Sequence, residues 1–245
     1  MKKIILIITG IILLFASFQA EAKGFGVSPN KAGIRPVMDA STILDNDGKW
    51  IGSDDKRIYL TFDCGYENGY TEDILDTLSK NNVKAIFFIT GHYLDSSTDI
   101  VRRMLDEGHI IGNHTTSHKD FTKSSNEEIL KDIKSLEDNF YNRFNIPMSK
   151  YVRPPRGEYS NESQALLKEN GYKSVFWSLA YVDWNKDQYH GNHYSYNKVM
   201  NKIHNGAVIL MHTVSKDNAV DLDDIIKELK SQGYVFSNVD ELFNI

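Results

Sequence analysis

From Arg57 onward, short apolar runs alternate with longer stretches in which apolar residues recur every third or fourth position. The runs at 58–62, 85–90, 109–112, 151–153, 173–179, 207–211 and 234–237 are too short for stable helices and are rich in β-branched and aromatic residues, so each is expected to be a strand. The stretches at 71–81, 97–107, 125–144, 162–170, 196–204 and 220–232 have the helical period. Gly108, Gly171, Gly206 and Gly233 each fall just after a helix, where a left-handed cap residue belongs. About seven strand–helix units in series predict parallel strands covered by helices. An open doubly wound sheet and a barrel both satisfy that pattern.

Ahead of Arg57 the pattern is different. Residues 23–55 are rich in Gly, Asn, Asp and Ser and show no sustained period. They are expected as an extended lead-in wrapped on the domain, with Trp50 and Ile51 to bury. Upstream, Lys2 and Lys3 precede an apolar run to Phe18 and the small-residue site Ala20-Glu21-Ala22, the layout of a secretory leader. The run falls short of the roughly 20 residues that a spanning helix needs, so cleavage after Ala22 is expected, with an uncleaved anchor as the alternative. The expected organisation is a leader at 1–22, the lead-in at 23–56 and one α/β domain at 57–245.

Composition changes this picture little. The chain has 245 residues, 41% hydrophobic and 25% charged, as an ordinary globular protein does. With Lys2, Lys3 and Glu21 removed, 28 basic and 33 acidic residues become 26 and 32, a net charge near −6. That charge gives no pull toward nucleic acid. Cys64 is the only cysteine, so no disulfide forms within the chain and stability rests on the core.

The unusual polar residues separate the two architectures. Asp63 and Cys64 follow the first strand, His114 and His118 the third, Arg153 ends the fourth, Asp183 and Trp184 follow the fifth, and His212 follows the sixth. All lie at C-terminal strand ends, the face on which barrel enzymes gather their catalytic groups. His114 and His118, four apart, can present ring nitrogens to one cation from one face of a helical turn, or can be ordinary members of a polar loop. Thr115 stands where zinc proteases carry a glutamate base, so a base must come from elsewhere. Asp63, at the mouth of an apolar strand, can take a proton from a metal-bound water, or can cap the loop at 65–69. His212 can protonate a leaving amine, with Asp183 holding its tautomer, or can be a core histidine bonded to backbone. Arg153 opens Arg153-Pro-Pro-Arg-Gly157, a loop stiffened by its prolines, from which it can pair with Asp63 or make a surface ion pair.

In this order, Thr61-Phe-Asp-Cys64, His114 to His118, Arg153-Pro-Pro-Arg-Gly157, Ala180-Tyr-Val-Asp-Trp184 and Leu210-Met-His212 resemble the motifs of the polysaccharide deacetylase family of carbohydrate esterases, over residues 57–243. The resemblance implies a distorted, TIM-barrel-like (β/α) barrel of about seven units and a hydrolase acting on linear amide C–N bonds. It implies Asp63 as general base, His114 and His118 as ligands of a divalent metal, zinc before others, and His212 as general acid. It also implies that Arg153 orients Asp63, that Asp183 tunes His212, that Trp184 and Leu210 line the acetyl pocket, and that the Arg156 N–H serves the oxyanion.

Residues 61–71, 108–114, 176–184 and 212–219 are similar to the branch of that family that makes muramic δ-lactam in spore cortex peptidoglycan. There, muramic acid already stripped of its peptide loses acetate and then closes its lactam. The branch implies peptidoglycan glycan strands as partner and an amidase acting beforehand; a monomer is expected, and the leader adds a place outside the cytoplasmic membrane, secreted or membrane-associated, at the cell wall or cortex. On this reading the Arg156 side chain pairs with the muramic lactyl carboxylate. Two departures stand out: Cys64 replaces the family's second, metal-binding aspartate, and Ala180 replaces the first aspartate of the fourth motif. A thiolate is a good zinc ligand, so Cys64 either coordinates or is a passive thiol. The rival expectations are a deacetylase of chitin-like glucosamine polymers or acetylated xylan, and a non-catalytic peptidoglycan-binding protein that lost its metal at Cys64.

Overall fold

A computed structural model describes residues 23–26 and 31–244; the leader read at 1–22 lies outside them. The strands, in chain order, are β1 (Lys23–Gly24), β2 (Arg57–Cys64), β3 (Ile86–Ile89), β4 (Ile110–Asn113), β5 (Tyr151–Val152), β6 (Glu158–Tyr159), β7 (Lys173–Ser174), β8 (Ala207–His212) and β9 (Val235–Phe236). One sheet runs β7-β5-β4-β3-β2-β8 with β9 on β2, and all of its pairings are parallel. β1 and β6 form a separate antiparallel pair. The expected strands are all present as elements of this sheet, and the architecture is the expected curled (β/α) barrel.

The run at 173–179 departs from its expected form. It is not one strand: β7 pairs with β5 and ends at Ser174. Lys49 of the lead-in then wedges in, bridging Val175, with Lys49 N–H donating to the Ser174 carbonyl at 2.9 Å and Phe176 N–H to that of Lys49 at 2.8 Å. The chain bends, and Leu179 bridges Ile209 of β8. One segment therefore touches both ends of the sheet, which closes its curl. The lead-in makes this possible by burying Trp50 and Ile43 in a cluster with Phe25, Ala40, Tyr159 and Phe176.

Strand parity sorts side chains between two layers, because successive residues point to opposite faces. Ile58, Leu60, Phe62 and Cys64 of β2 join Phe87, Ile89, Ala207, Ile209 and Met211 in the core under the helices. Tyr59, Ile86, Phe88 and Val208, of opposite parity, pack inside the curl with Val239 and Leu242 of the C-terminal helix. Continuing the inner set along β2 and β8 gives Thr61 and Asp63, and Leu210 and His212. The barrel interior thus turns polar at its C-terminal mouth.

The helices follow their local signals. Asn126–Phe144 begins with a capping box between Ser125 and Glu128 and ends on Asn145 at φ 55. Gly91–Ser96, capped by the Thr90 hydroxyl, precedes Thr98–Asp106 and was not visible as a separate element. Tyr194–Met200 and Lys216–Ser231 each start earlier than the apolar period suggests. Their first turns are polar and are held by side chains such as the Ser215 hydroxyl, which accepts from Asn218 N–H.

Candidate active site

The register of β2 against β8 sets Asp63 directly beside His212. Both face a cavity of about 840 Å3 at the barrel mouth, together with His114, His118, Arg156, Trp184 and Leu210. The residues singled out from the strand ends are therefore brought together, with one exception. Cys64 has the opposite parity: its side chain is fully buried in the core under the helices, and it is absent from the cavity wall. Burial pushes its thiol well up, opposed by a contact with the Thr213 hydroxyl. A buried thiol on the far face of β2 is not placed to bind a cation in the cavity, which favours the passive of the two readings of Cys64.

Arg153 is wholly buried and anchors one side of the site. Its Nη1 donates to Asp63 Oδ1 at 2.7 Å and its Nη2 to the Thr61 hydroxyl at 2.8 Å and the Phe176 carbonyl at 3.2 Å. Its Nε donates to the Val175 carbonyl at 2.9 Å, and the guanidinium lies 4.3 Å from the Phe88 ring centre. The bent 173–179 segment supplies two of those carbonyls. Burial alone would raise the Asp63 carboxyl, but Arg153, then His114 and His212, outweigh it and hold Asp63 below its ordinary value.

His114 and His118 do not lie on a helical turn, contrary to expectation. They sit in a loop whose Thr115 and His118 take left-handed backbone, φ 65 and 54, and their rings meet edge to face 4.8 Å apart. Left-handed conformation costs a β-branched residue on the order of 1–3 kcal/mol, which the surroundings must offset. Here Asp132, on the helix Asn126–Phe144, takes up the loop: its carboxylate accepts from the Ser117 N–H and hydroxyl and its carbonyl from the Thr116 hydroxyl. Gly91 fits beneath, where a Cβ would meet the Thr116 carbonyl oxygen at 2.8 Å.

The donor chemistry suits a divalent cation. His114 Nδ1 donates to the Arg153 carbonyl at 2.8 Å, so its Nε2 carries a lone pair. That lone pair faces Asp63 Oδ2 at 3.5 Å, an arrangement of two acceptors that a cation would relieve. Burial, against the pull of Asp63, keeps His114 below its ordinary value, and burial with His114 nearby pushes His118 down to about 4. Both imidazoles are thus neutral, as ligation requires. Among the described residues no group of three or more His, Cys, Asp or Glu forms a ready cage. A cation on His114 and His118 would leave most of its coordination to water and substrate.

The opposite side is built on Asp183. Its Oδ1 accepts from His212 Nδ1 at 2.7 Å and its Oδ2 from His212 N–H at 2.8 Å. Asn218, unforeseen from the sequence, donates to Asp183 Oδ2 at 2.7 Å and to the His212 carbonyl at 3.0 Å, while its own oxygen accepts from Tyr181 and Ser195, each at 2.7 Å. Burial lowers His212, but the Asp183 charge and hydrogen bond, with Asp63 behind, more than offset it and the net shift is upward. With Nδ1 committed to Asp183, Nε2 is left to serve the cavity. Trp184, half exposed, puts its ring 5.8 Å from that of His212. Arg156 is exposed at the rim, with φ 60, and makes no ion pair among the described residues. Trp177 and Phe25 also line the wall and were missed as site residues. No local signal marks either of them, because the lead-in and the bent segment meet only in the fold.

The profile of the polysaccharide deacetylase family matches residues 51–175. The chain is 44% identical to the peptidoglycan-N-acetylmuramic acid deacetylase PdaA of Bacillus subtilis, over 82% of this chain and 77% of that protein. It is 52% identical to an uncharacterised 30.6 kDa protein of Geobacillus stearothermophilus, over 76% of this chain and 71% of the relative. The solved structure of Bacillus subtilis PdaA, a family 4 carbohydrate esterase, superposes with a TM-score of 0.87 at 40% identity, covering 91% of this chain and 97% of that one. The chain belongs to the polysaccharide deacetylase family, and it is a hydrolase of amide C–N bonds.

Proposed function

We propose that this protein removes the N-acetyl group from N-acetylmuramic acid in peptide-free peptidoglycan, outside the cytoplasmic membrane, as a step toward muramic δ-lactam. The observation that carries the reading is the pairing of Asp63 with His212 across one cavity, each held by its own buried partner, with Arg156 exposed at the rim. Asp63, kept ionised by Arg153, accepts the proton of the attacking water. His114 and His118 would hold a divalent cation, with zinc the first candidate, which when bound would supply the acidity that lets so weak a base act. The Arg156 N–H is offered to the oxyanion, and His212 delivers its proton to the departing nitrogen, so that water and amide become acetate and free amine. Trp184 and Leu210 enclose the acetyl methyl. Arg156 suits the lactyl carboxylate, which is free only after an amidase has removed the peptide. The 44% identity to PdaA supports the muramic substrate. Among the described residues no helix is long and apolar enough to cross a membrane.

Acetate release by residues 23–245 from intact peptidoglycan, from peptide-free peptidoglycan and from chitooligosaccharide, with and without chelator, tests this directly. Chelator-sensitive release from the peptide-free wall alone is expected. Release only from chitooligosaccharide transfers the assignment to glucosamine polymers, and no release with zinc restored makes the protein a binding homologue. Arg156→Ala is expected to lose preference for muramic over glucosamine units; unchanged preference removes Arg156 from the reading.

A further inference from the structure

We infer that the short strand Lys23–Gly24 and the adjoining Phe25 are a working part of the substrate site, a strap that positions the Arg156 turn. The inference deepens the deacetylase reading and rests on it for its kinetic test. The strap pairs antiparallel with β6, Lys23 against Tyr159 and Gly24 against Glu158. Phe25 N–H donates to the Gly157 carbonyl at 2.9 Å, one residue from Arg156. The turn it grips is strained at Arg156, which takes left-handed backbone at φ 60 ahead of Gly157 at φ 68, where glycine bears no such cost. Such a conformation persists only when its surroundings over-determine it.

The Phe25 ring supplies the rest of the grip. It packs on Phe176 at 4.8 Å and edge-on to Trp177 at 5.0 Å, and both Phe25 and Trp177 line the cavity. Gly157 is enclosed between them: a Cβ there would meet Trp177 at 2.7 Å and Phe25 Cβ at 2.9 Å. Trp177 in turn lies over the Arg153 guanidinium, 5.7 Å from ring centre to charge. Residues far upstream in sequence thus hold the wall that carries Arg156, while touching neither Asp63 nor His212. A device of this kind bears on how the glycan seats and on the aim of the N–H offered to the oxyanion.

Phe25→Ala is therefore expected to raise KM for peptide-free peptidoglycan about tenfold and to lower kcat as well, since the turn it loosens carries both the Arg156 side chain and the N–H offered to the oxyanion. Phe25→Leu, which keeps apolar bulk, is expected to restore most of the affinity. Ile43→Ala cuts the same apolar cluster at a residue that does not line the cavity, and is expected to lower Tm without raising KM. Equal KM effects from Phe25→Ala and Ile43→Ala would reduce the strap to general packing, and an unchanged KM in Phe25→Ala would overturn the inference. Backbone hydrogen exchange reads the same grip without turnover: Phe25→Ala should speed exchange across 156–160 and leave 207–212 unaffected. If the wild type releases no acetate from any glycan, exchange alone decides, and unaltered exchange at 156–160 rejects the strap.

Discussion

Two charged pairs face each other across the barrel mouth, and they are built in opposite senses. In Arg153–Asp63 the cation is the sealed member, 0% exposed, and it cannot release its proton, so it pins the carboxylate as an anion. In His212–Asp183 the carboxylate is sealed, 1% exposed, and the cation is titratable and 21% exposed toward the cavity. The first pair makes a fixed acceptor, and the second makes a donor that can be emptied and refilled. Side by side in register, they would, on the proposed reading, divide proton uptake and proton delivery between Asp63 and His212, each set by its own buried partner.

The largest effect is expected where the fixed pair is broken. Arg153→Met leaves a buried carboxylate without its counter-charge, so a loss of about 3–5 kcal/mol in stability and of all measurable acetate release is expected from denaturant melts and assay together. Full activity in that variant would mean that Asp63 needs no permanent cation. Next, Asp63→Asn and His212→Ala each remove one half of the proton traffic, and kcat should fall by about 10²–10⁴ in each. If one falls far less than the other, a single group serves both roles. His118→Ala removes one of the two imidazole donors, and equilibrium dialysis should show zinc affinity lost along with activity.

Asp183→Asn breaks the comparison more gently. Burial alone would lower His212, and Asp183 is what carries it above the ordinary value. His212 donates only while protonated, so with Asp183 neutralised the alkaline limb of the pH–kcat profile should move to lower pH, with a loss smaller than that of His212→Ala. A stability signature accompanies it. A folded-state value that is raised stabilises below the ordinary imidazole value and ceases to do so once pH passes the folded one, so the Tm penalty of Asp183→Asn should shrink as pH rises. A limb that stays in place would show that another group delivers the proton.

The sequence made the strands and their polar ends legible because a parallel barrel strand declares itself twice, by an apolar run and by an abrupt polar residue after it. Asp63 and His212 follow that rule, and so does Arg153. Local periodicity did not show how the chain bends between runs. The 173–179 segment has strand composition throughout, yet Lys49, distant in sequence, pairs with it at Val175, the chain then turns to meet β8 at Leu179, and its Val175 and Phe176 carbonyls hold Arg153. The His114–His118 spacing matched a helical turn, but the loop runs through left-handed Thr115, and its Thr116 and Ser117 are held by Asp132 in the following helix, which no window around the motif contains. Asn218 and Phe25 escaped for the same reason: their partners lie far away along the chain.

Cys64 is the sharpest case, because neighbouring positions on one strand give opposite answers. Asp63 and Cys64 differ by one residue, and strand parity sends the first into the cavity and the second under the helices beside the core. Cys64→Ala should therefore be the mildest change of the series. It removes one buried sulfur atom and should cost about 1–2 kcal/mol of stability, while zinc affinity and kcat stay within about twofold of wild type. A loss of zinc comparable to that of His118→Ala would place the thiol on the cation. The end of β2 would then have to untwist so that two successive residues face the same side, and the separation of fixed acceptor from core would fail at that point.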